Sequence, residues 1–155
     1  WCLDVDGDGD ADVVTSLNAH AWGLAWYEQM RVGGAITFRQ HMIMGDPQNG
    51  PKPDNVVFSQ LHGVDMLDVN HDGVKDIVTG KRFWAHKGRD ADARNTPMFV
   101  WFECRRENGR VSWTPHTISD QTGIGCSITS GDINADGKLD FVVGNKKGAT
   151  VLIAE

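Results

Sequence analysis

Three eleven-residue stretches decide the fold. Asp4–Val14 reads DVDGDGDADVV, Asp68–Val78 reads DVNHDGVKDIV, and Asp132–Val142 reads DINADGKLDFV. All fit D-x-[DN]-x-D-G-x-x-D followed by two apolar residues, at a spacing of 64 residues. Self-similarity at a fixed period is the mark of a repeat architecture. Further landmarks keep a different offset: Ala25-Trp26-Tyr27-Glu28 matches Val100-Trp101-Phe102-Glu103, and Ile36–Ile43 matches Val111–Ile118, both 75 apart. The second unit therefore carries 11 extra residues after its aspartate loop, within Phe83–Thr96, and 11 fewer later. In the third unit Leu152-Ile153-Ala154-Glu155 is expected to take the place of Val100–Glu103.

Each full unit holds four short strand candidates bounded by glycine and aspartate turns. In the second they are Leu61–Leu67, Asp76–Thr79, Met98–Cys104 and Val111–Ile118. Eighteen glycines and only four glutamates among the 21 acids agree with turns and strands. No window carries a helical apolar stripe over three turns. Four antiparallel strands per repeat predict an all-β fold, a β-propeller fragment of two to three four-stranded blades. Residues 1–58 read as a partial blade with its linker, 59–120 as a complete blade, and 121–155 as another partial blade. Propellers close with about 4–8 blades. The remaining blades of a longer parent chain are thus the first expected partner, with assembly from several copies as the other route to closure.

The aspartate loops predict calcium. A hard cation takes six to eight oxygens, and alternate positions of a tight loop supply them. Positions 1, 3, 5 and 9 are Asp4, Asp6, Asp8 and Asp12, then Asp68, Asn70, Asp72 and Asp76, then Asp132, Asn134, Asp136 and Asp140. Position 7 offers the backbone carbonyls of Asp10, Val74 and Lys138, and position 6 is always glycine. An EF-hand or dockerin shares the first nine positions, but an EF-hand needs an acidic ligand at position 12. Thr15, Thr79 and Val143 stand there, and the residues before them suit a strand. Positions 1, 3, 5 and 9 of these loops hold ten of the 21 acids, a repulsive crowd unless cations are bound, and three calcium ions would neutralise the net charge of −6.

These residues resemble the FG-GAP or VCBS repeats of secreted and surface propellers, including that of integrin α subunits. Leu24–Gln29 (LAWYEQ) and Val142–Gly148 (VVGNKKG) are similar to segments of large bacterial secreted proteins with such repeats. The resemblance implies structural calcium and a secreted, periplasmic or cell-surface location. It names no activity.

Composition narrows the rest. A chain of 155 residues, 40% hydrophobic and 23% charged, is globular, and its acidity argues against nucleic acid as a partner. No apolar run approaches a membrane span. GxSxG, HExxH, P-loop and GxGxxG patterns are all absent, so no catalytic residue is assigned. His41 and His116 are repeat-equivalent and read as solvated or capping groups; Trp26, Trp101 and Trp113 read as core. Basic and aromatic residues follow the second strand of each unit: His20 and Trp22, then Lys81, Arg82, Trp84 and His86, then Lys146 and Lys147. In the family's blade layout these turns lie opposite the calcium loops. A glycan or protein ligand would meet His20, Lys81, Arg82, Trp84 and Lys146 there. A binding or scaffolding module is thus the favoured function. The rival is the propeller of a sugar-active enzyme, since some sugar lyases resemble this and carry a metal and histidines in a central cleft. His62, His20 and His86 would be the residues to test, by whether they converge.

Overall fold

The computed structural model describes all 155 residues. It is all-β, with three antiparallel sheets and two single turns of 3-10 helix, Pro53–Asn55 and Ala85–Lys87. The first sheet runs β1 (Cys2–Leu3), β2 (Asp12–Ser16), β3 (Leu24–Val32) and β4 (Ala35–Met44) in sequence order. The second repeats that order with β5 (Val64–Leu67), β6 (Asp76–Gly80), β7 (Phe99–Glu107) and β8 (Arg110–Ser119). The third has three strands: β9 (Ile128–Gly131), β10 (Asp140–Asn145) and β11 (Gly148–Leu152). These are blade-like meanders, each strand paired with its chain neighbour.

The two offsets reappear in the fold. β6 and β10 each start 64 residues after the equivalent strand, whereas β7 and β8 start 75 after β3 and β4. Even the bulge repeats, at Leu24/Ala25 and at Phe99/Val100. The added residues lie in the β6–β7 connection, Lys81–Met98, against Leu17–Gly23 between β2 and β3.

One expected correspondence is off by two residues. Val14 pairs with Trp26 and Val78 with Trp101, but Val142 pairs with Val151. Val151, not Ile153, therefore occupies the tryptophan position. The cause is local: β10 and β11 are joined by the two-residue turn Lys146-Lys147, which sets the pairing closer to the hairpin.

Strand alternation sends opposite faces of the middle sheet to two cores. Ile77, Val100 and Phe102 meet Val14, Leu24, Trp26 and Met44 of the first sheet. Val78 and Phe99 meet Ile124, Phe141 and Val143 of the third, with Phe99 and Phe141 edge-to-face at 5.3 Å. Trp26 is buried in the first core, Trp113 packs against it and Trp101 packs against the second, as the sequence predicts. Cys2, Cys104 and Cys126 are all unpaired thiols. Burial pushes the Cys104 thiol up to about 12.

Candidate functional site

Antiparallel order puts the loops before and after the second strand at opposite ends of each sheet. The β1–β2, β5–β6 and β9–β10 connections are the aspartate loops. Their backbone explains the recurrent glycine. Position 6 is left-handed in all three, at φ 94° (Gly9), 87° (Gly73) and 84° (Gly137). A Cβ there would be strained. Position 4 is left-handed as well, and only the first loop has glycine (Gly7); His71 and Ala135 adopt φ 60° and 63°.

The position-1 carboxylates fold the loops around themselves. Asp4 accepts from the Gly7 and Gly9 amides, Asp68 from Asp72 and Gly73, and Asp132 from Asp136 and Gly137. Position 5 accepts from position 7 in every loop. Asn70 and Asn134 donate their side-chain amides to Asp72 and Asp136. In the first loop an acid replaces that asparagine, so repulsion replaces a hydrogen bond. Asp6 titrates above the usual carboxylate range, chiefly through burial, with Asp8, Asp12 and Asp4 adding to it. Asp4, Asp6 and Asp8 bring ligand oxygens within 4.8 Å of one another, an acidic cluster able to hold a metal ion.

Position 9 does more than its spacing implies. Asp12, Asp76 and Asp140 are buried, and both oxygens of each accept backbone amides. One bond goes back into the loop, from Val5, Val69 or Ile133; the other crosses to Gln29, Cys104 or Ala154 on or beside the third strand. Each oxygen keeps a second lone pair for an ion, but the carboxylate is first a clasp between loop and sheet. Burial raises the pKa of Asp76, against the lowering effect of those amides. Asp10 stands 3.7 Å from Arg31. Arg106, from β7, donates to the Asp4 and Val5 carbonyls and so places a cation against the first loop.

At the other end the turns after the second strands of all three sheets converge. His20, between β2 and β3, lies 3.2 Å from Asp90 in the β6–β7 connection, and Lys147, between β10 and β11, sits over the Phe83 ring at 5.4 Å. Their gathering on one common face, as the blade layout implies, is therefore observed. Its membership differs from expectation. Lys81 is 0% exposed and cannot meet a ligand at the surface. Its ammonium pairs with Asp92 and donates to the Asp92 and Asn95 carbonyls, bracing the long connection from within. Desolvation depresses its pKa, and Asp92 partly restores it. Trp84 is 38% exposed, with Arg94 over its ring at 5.5 Å. Arg82 approaches His62 at 3.4 Å, and Lys146 stands exposed.

The histidines do converge. His86 Nδ1 is 2.7 Å from Asp90 Oδ2, the same oxygen that His20 Nδ1 faces; the His20 ring lies 4.5 Å from His86 and 5.2 Å from His62. The His86 hydrogen bond leads in holding Asp90 below the usual carboxylate range. Burial, then Arg82, lowers the pKa of His62. Asp90 lay unnoticed in a polar insertion with no repeat equivalent.

His41 and His116 have a shared structural role. His41 stacks on Trp26 at 4.3 Å and reaches Glu28 at 2.7 Å; His116 stacks on Trp101 at 4.4 Å and reaches Glu103 at 3.0 Å. The glutamates were legible as the last letter of AWYE and VWFE, but their pairing was not.

The chain matches no protein-family model. It resembles a phospholipase. Over 166 aligned residues it is 26% identical to phosphatidylinositol-glycan-specific phospholipase D of Bos taurus. That match takes in 94% of this chain and 18% of the relative, so the chain spans less than a fifth of the relative's length.

Proposed function

We propose that the chain is a calcium-binding repeat module of a secreted β-propeller, of the FG-GAP or VCBS kind, with a binding or scaffolding role. One observation carries the reading. All three loops share a left-handed glycine, oxygen-only donors at positions 1, 3 and 5, and a buried carboxylate at position 9 tying the loop to the sheet. That donor chemistry fits a hard divalent cation, with Asp10, Val74 and Lys138 offering carbonyls in addition. Calcium would neutralise the loops and fix the hairpins they head. The natural partners are the other blades of a longer chain. A glycan is the ligand class this reading favours, because the relative's name specifies a phosphatidylinositol glycan and the opposite face carries Arg82, Trp84 and Lys146.

Calorimetry of the chain with calcium and with EGTA tests the metal. The expected result is a large drop in unfolding midpoint on chelation. An unchanged midpoint would remove the calcium reading.

The second reading, the propeller part of a sugar-active lyase-type enzyme, is favoured by the approach of His20, His62 and His86 around Asp90. Its assay is release of unsaturated sugar ends from acidic polysaccharides, abolished in His62→Ala.

A further inference from the structure

The His20–His86–Asp90 cluster belongs to none of the aspartate loops, and its donors differ in kind. Two imidazole nitrogens and one carboxylate oxygen lie within 4.8 Å of one another, drawn from the β2–β3 and β6–β7 connections of two different sheets. A carboxylate serving merely as an ion-pair partner has two oxygens to offer two histidines. Here both Nδ1 atoms address the same one, Asp90 Oδ2, at 3.2 and 2.7 Å. Tetrahedral bonds of about 2.1 Å to a metal hold neighbouring donor atoms about 3.4 Å apart, so the two nitrogens, at 3.2 and 2.7 Å from Asp90 Oδ2, need to withdraw by less than about 1 Å to admit an ion.

The scaffold holding these groups is built on buried polar residues, although the histidine side chains are 48% and 53% exposed. Gln60, fully buried at φ 63°, links the two connections. Its amide donates to the Ala21 carbonyl beside His20, its side chain donates to the Ala91 carbonyl beside Asp90, and its own carbonyl accepts from Arg82. Ser59 donates to Ala91 and Asp92, and Lys81 anchors Asp92 and Asn95. Trp84, His86 and Lys87 are held left-handed at φ 57°, 46° and 62°, a run of non-glycine strain that concentrates at functional sites. A network of buried polar groups thus supports two exposed histidines, His86 on a left-handed backbone, around a largely covered Asp90, the arrangement of a preorganised site.

We propose that His20, His86 and Asp90 bind one divalent transition-metal ion of the Zn²⁺ class. Two histidines and a carboxylate make a three-ligand set that leaves coordination positions open. Nitrogen donors select a borderline ion over calcium, so this site and the aspartate loops take different metals. Binding takes each imidazole as the tautomer that carries its proton on Nε2, so that the Nδ1 lone pair faces the metal, and any proton displaced from Nδ1 is released to solvent while Asp90 stays ionised. His62 and Arg82 border the cluster without joining it, His62 Nε2 being turned toward the guanidinium. The inference holds whether or not the loops bind calcium, and it adds a metal to the face that either functional reading uses.

Calorimetric titration of the full chain with Zn²⁺, in saturating Ca²⁺ to occupy the loops, is the test, beside Co²⁺ absorption spectroscopy. One Zn²⁺ should bind per chain, with intense tetrahedral Co²⁺ bands. His20→Ala and His86→Ala should each weaken Zn²⁺ binding by more than about 100-fold, the upper range for residues that only support a ligand. Asp136→Ala should leave it unchanged. Circular dichroism reports whether each variant stays folded. For a variant that does not, the wild-type Co²⁺ spectrum decides, since octahedral bands or none would overturn the assignment. Unaltered Zn²⁺ affinity in folded His20→Ala and His86→Ala would overturn it as well.

Discussion

The position-9 aspartates show how much a single side chain contributes. Asp76 is fully buried and supplies both acceptors for amides in two separate segments, Val69 and Cys104. Asp76→Asn puts an NH₂ where one amide needs an oxygen and should cost about 2 kcal/mol, the scale of a charge-assisted bond lost inside the protein. Urea unfolding checks it, and the equally buried Asp140 should behave alike through Ile133 and Ala154. Glu103 gives a pH prediction. Its hydrogen bond from His116, helped by Arg105, holds its carboxyl below the ordinary value of 4.5. A depressed folded pKa contributes stability that is present above the unfolded value and lost as pH falls through the folded one. The stability gap between the wild type and Glu103→Gln should therefore be widest above pH 4.5 and shrink on acidification. Thermal melts across that range measure it.

At the scale of elements, the β6–β7 connection is the piece that departs from the repeat. Its length brings in no regular structure beyond the single turn Ala85–Lys87, and a polar insertion of that kind would ordinarily lie loose on the surface. Lys81 prevents this by reaching inward to Asp92 and Asn95. Lys81→Ala strands a carboxylate and two carbonyls around an empty space and should destabilise by about 3 kcal/mol, as for breaking a buried pair from one side. Hydrogen exchange should show protection lost first across Arg82–Thr96. Unchanged exchange there would mean that the connection is held by other contacts. The same variant should weaken any Zn²⁺ bound at His86 and Asp90 without touching the aspartate loops.

At the scale of the whole molecule, the three sheets depend on the two cores between them and on the charge at the loop end. Phe141 from the third sheet closes on Phe99, so Phe141→Ala should cost about 3 kcal/mol through the cavity left, read as a lower denaturant midpoint. Among the loops the first offers four carboxylates at positions 1, 3, 5 and 9, against three in each of the others. Ligand charge is one lever on calcium affinity, so the first loop should bind tightest. The Arg106 guanidinium against Asp4 opposes this, and Arg106→Ala should strengthen calcium binding at that loop. Calcium titration of Asp8→Ala, Asp72→Ala and Asp136→Ala, each removing one site, ranks the three.

What the sequence determined by itself is what short range can encode. Glycine at position 6, alternating acids and two β-branched or aromatic residues specify a tight loop feeding a strand, and three copies specify three sheets. Even the 11-residue insertion and its compensating loss were readable, because strands on either side kept their own offsets. Burial and convergence were decided only by the tertiary structure. Lys81 reads as one more cation in a basic turn, and it is the fold around it that closes its surroundings to solvent. That Asp12, Asp76 and Asp140 also clasp loop to sheet appears only when a bare amide on or beside the third strand meets each carboxylate. The two-residue shift of β11 follows from a hairpin length that no motif marks. His20 and Asp90 stand 70 positions apart and have no counterparts in the other repeats. No period relates them, and only the packing of one sheet's turn against its neighbour's insertion brings them together.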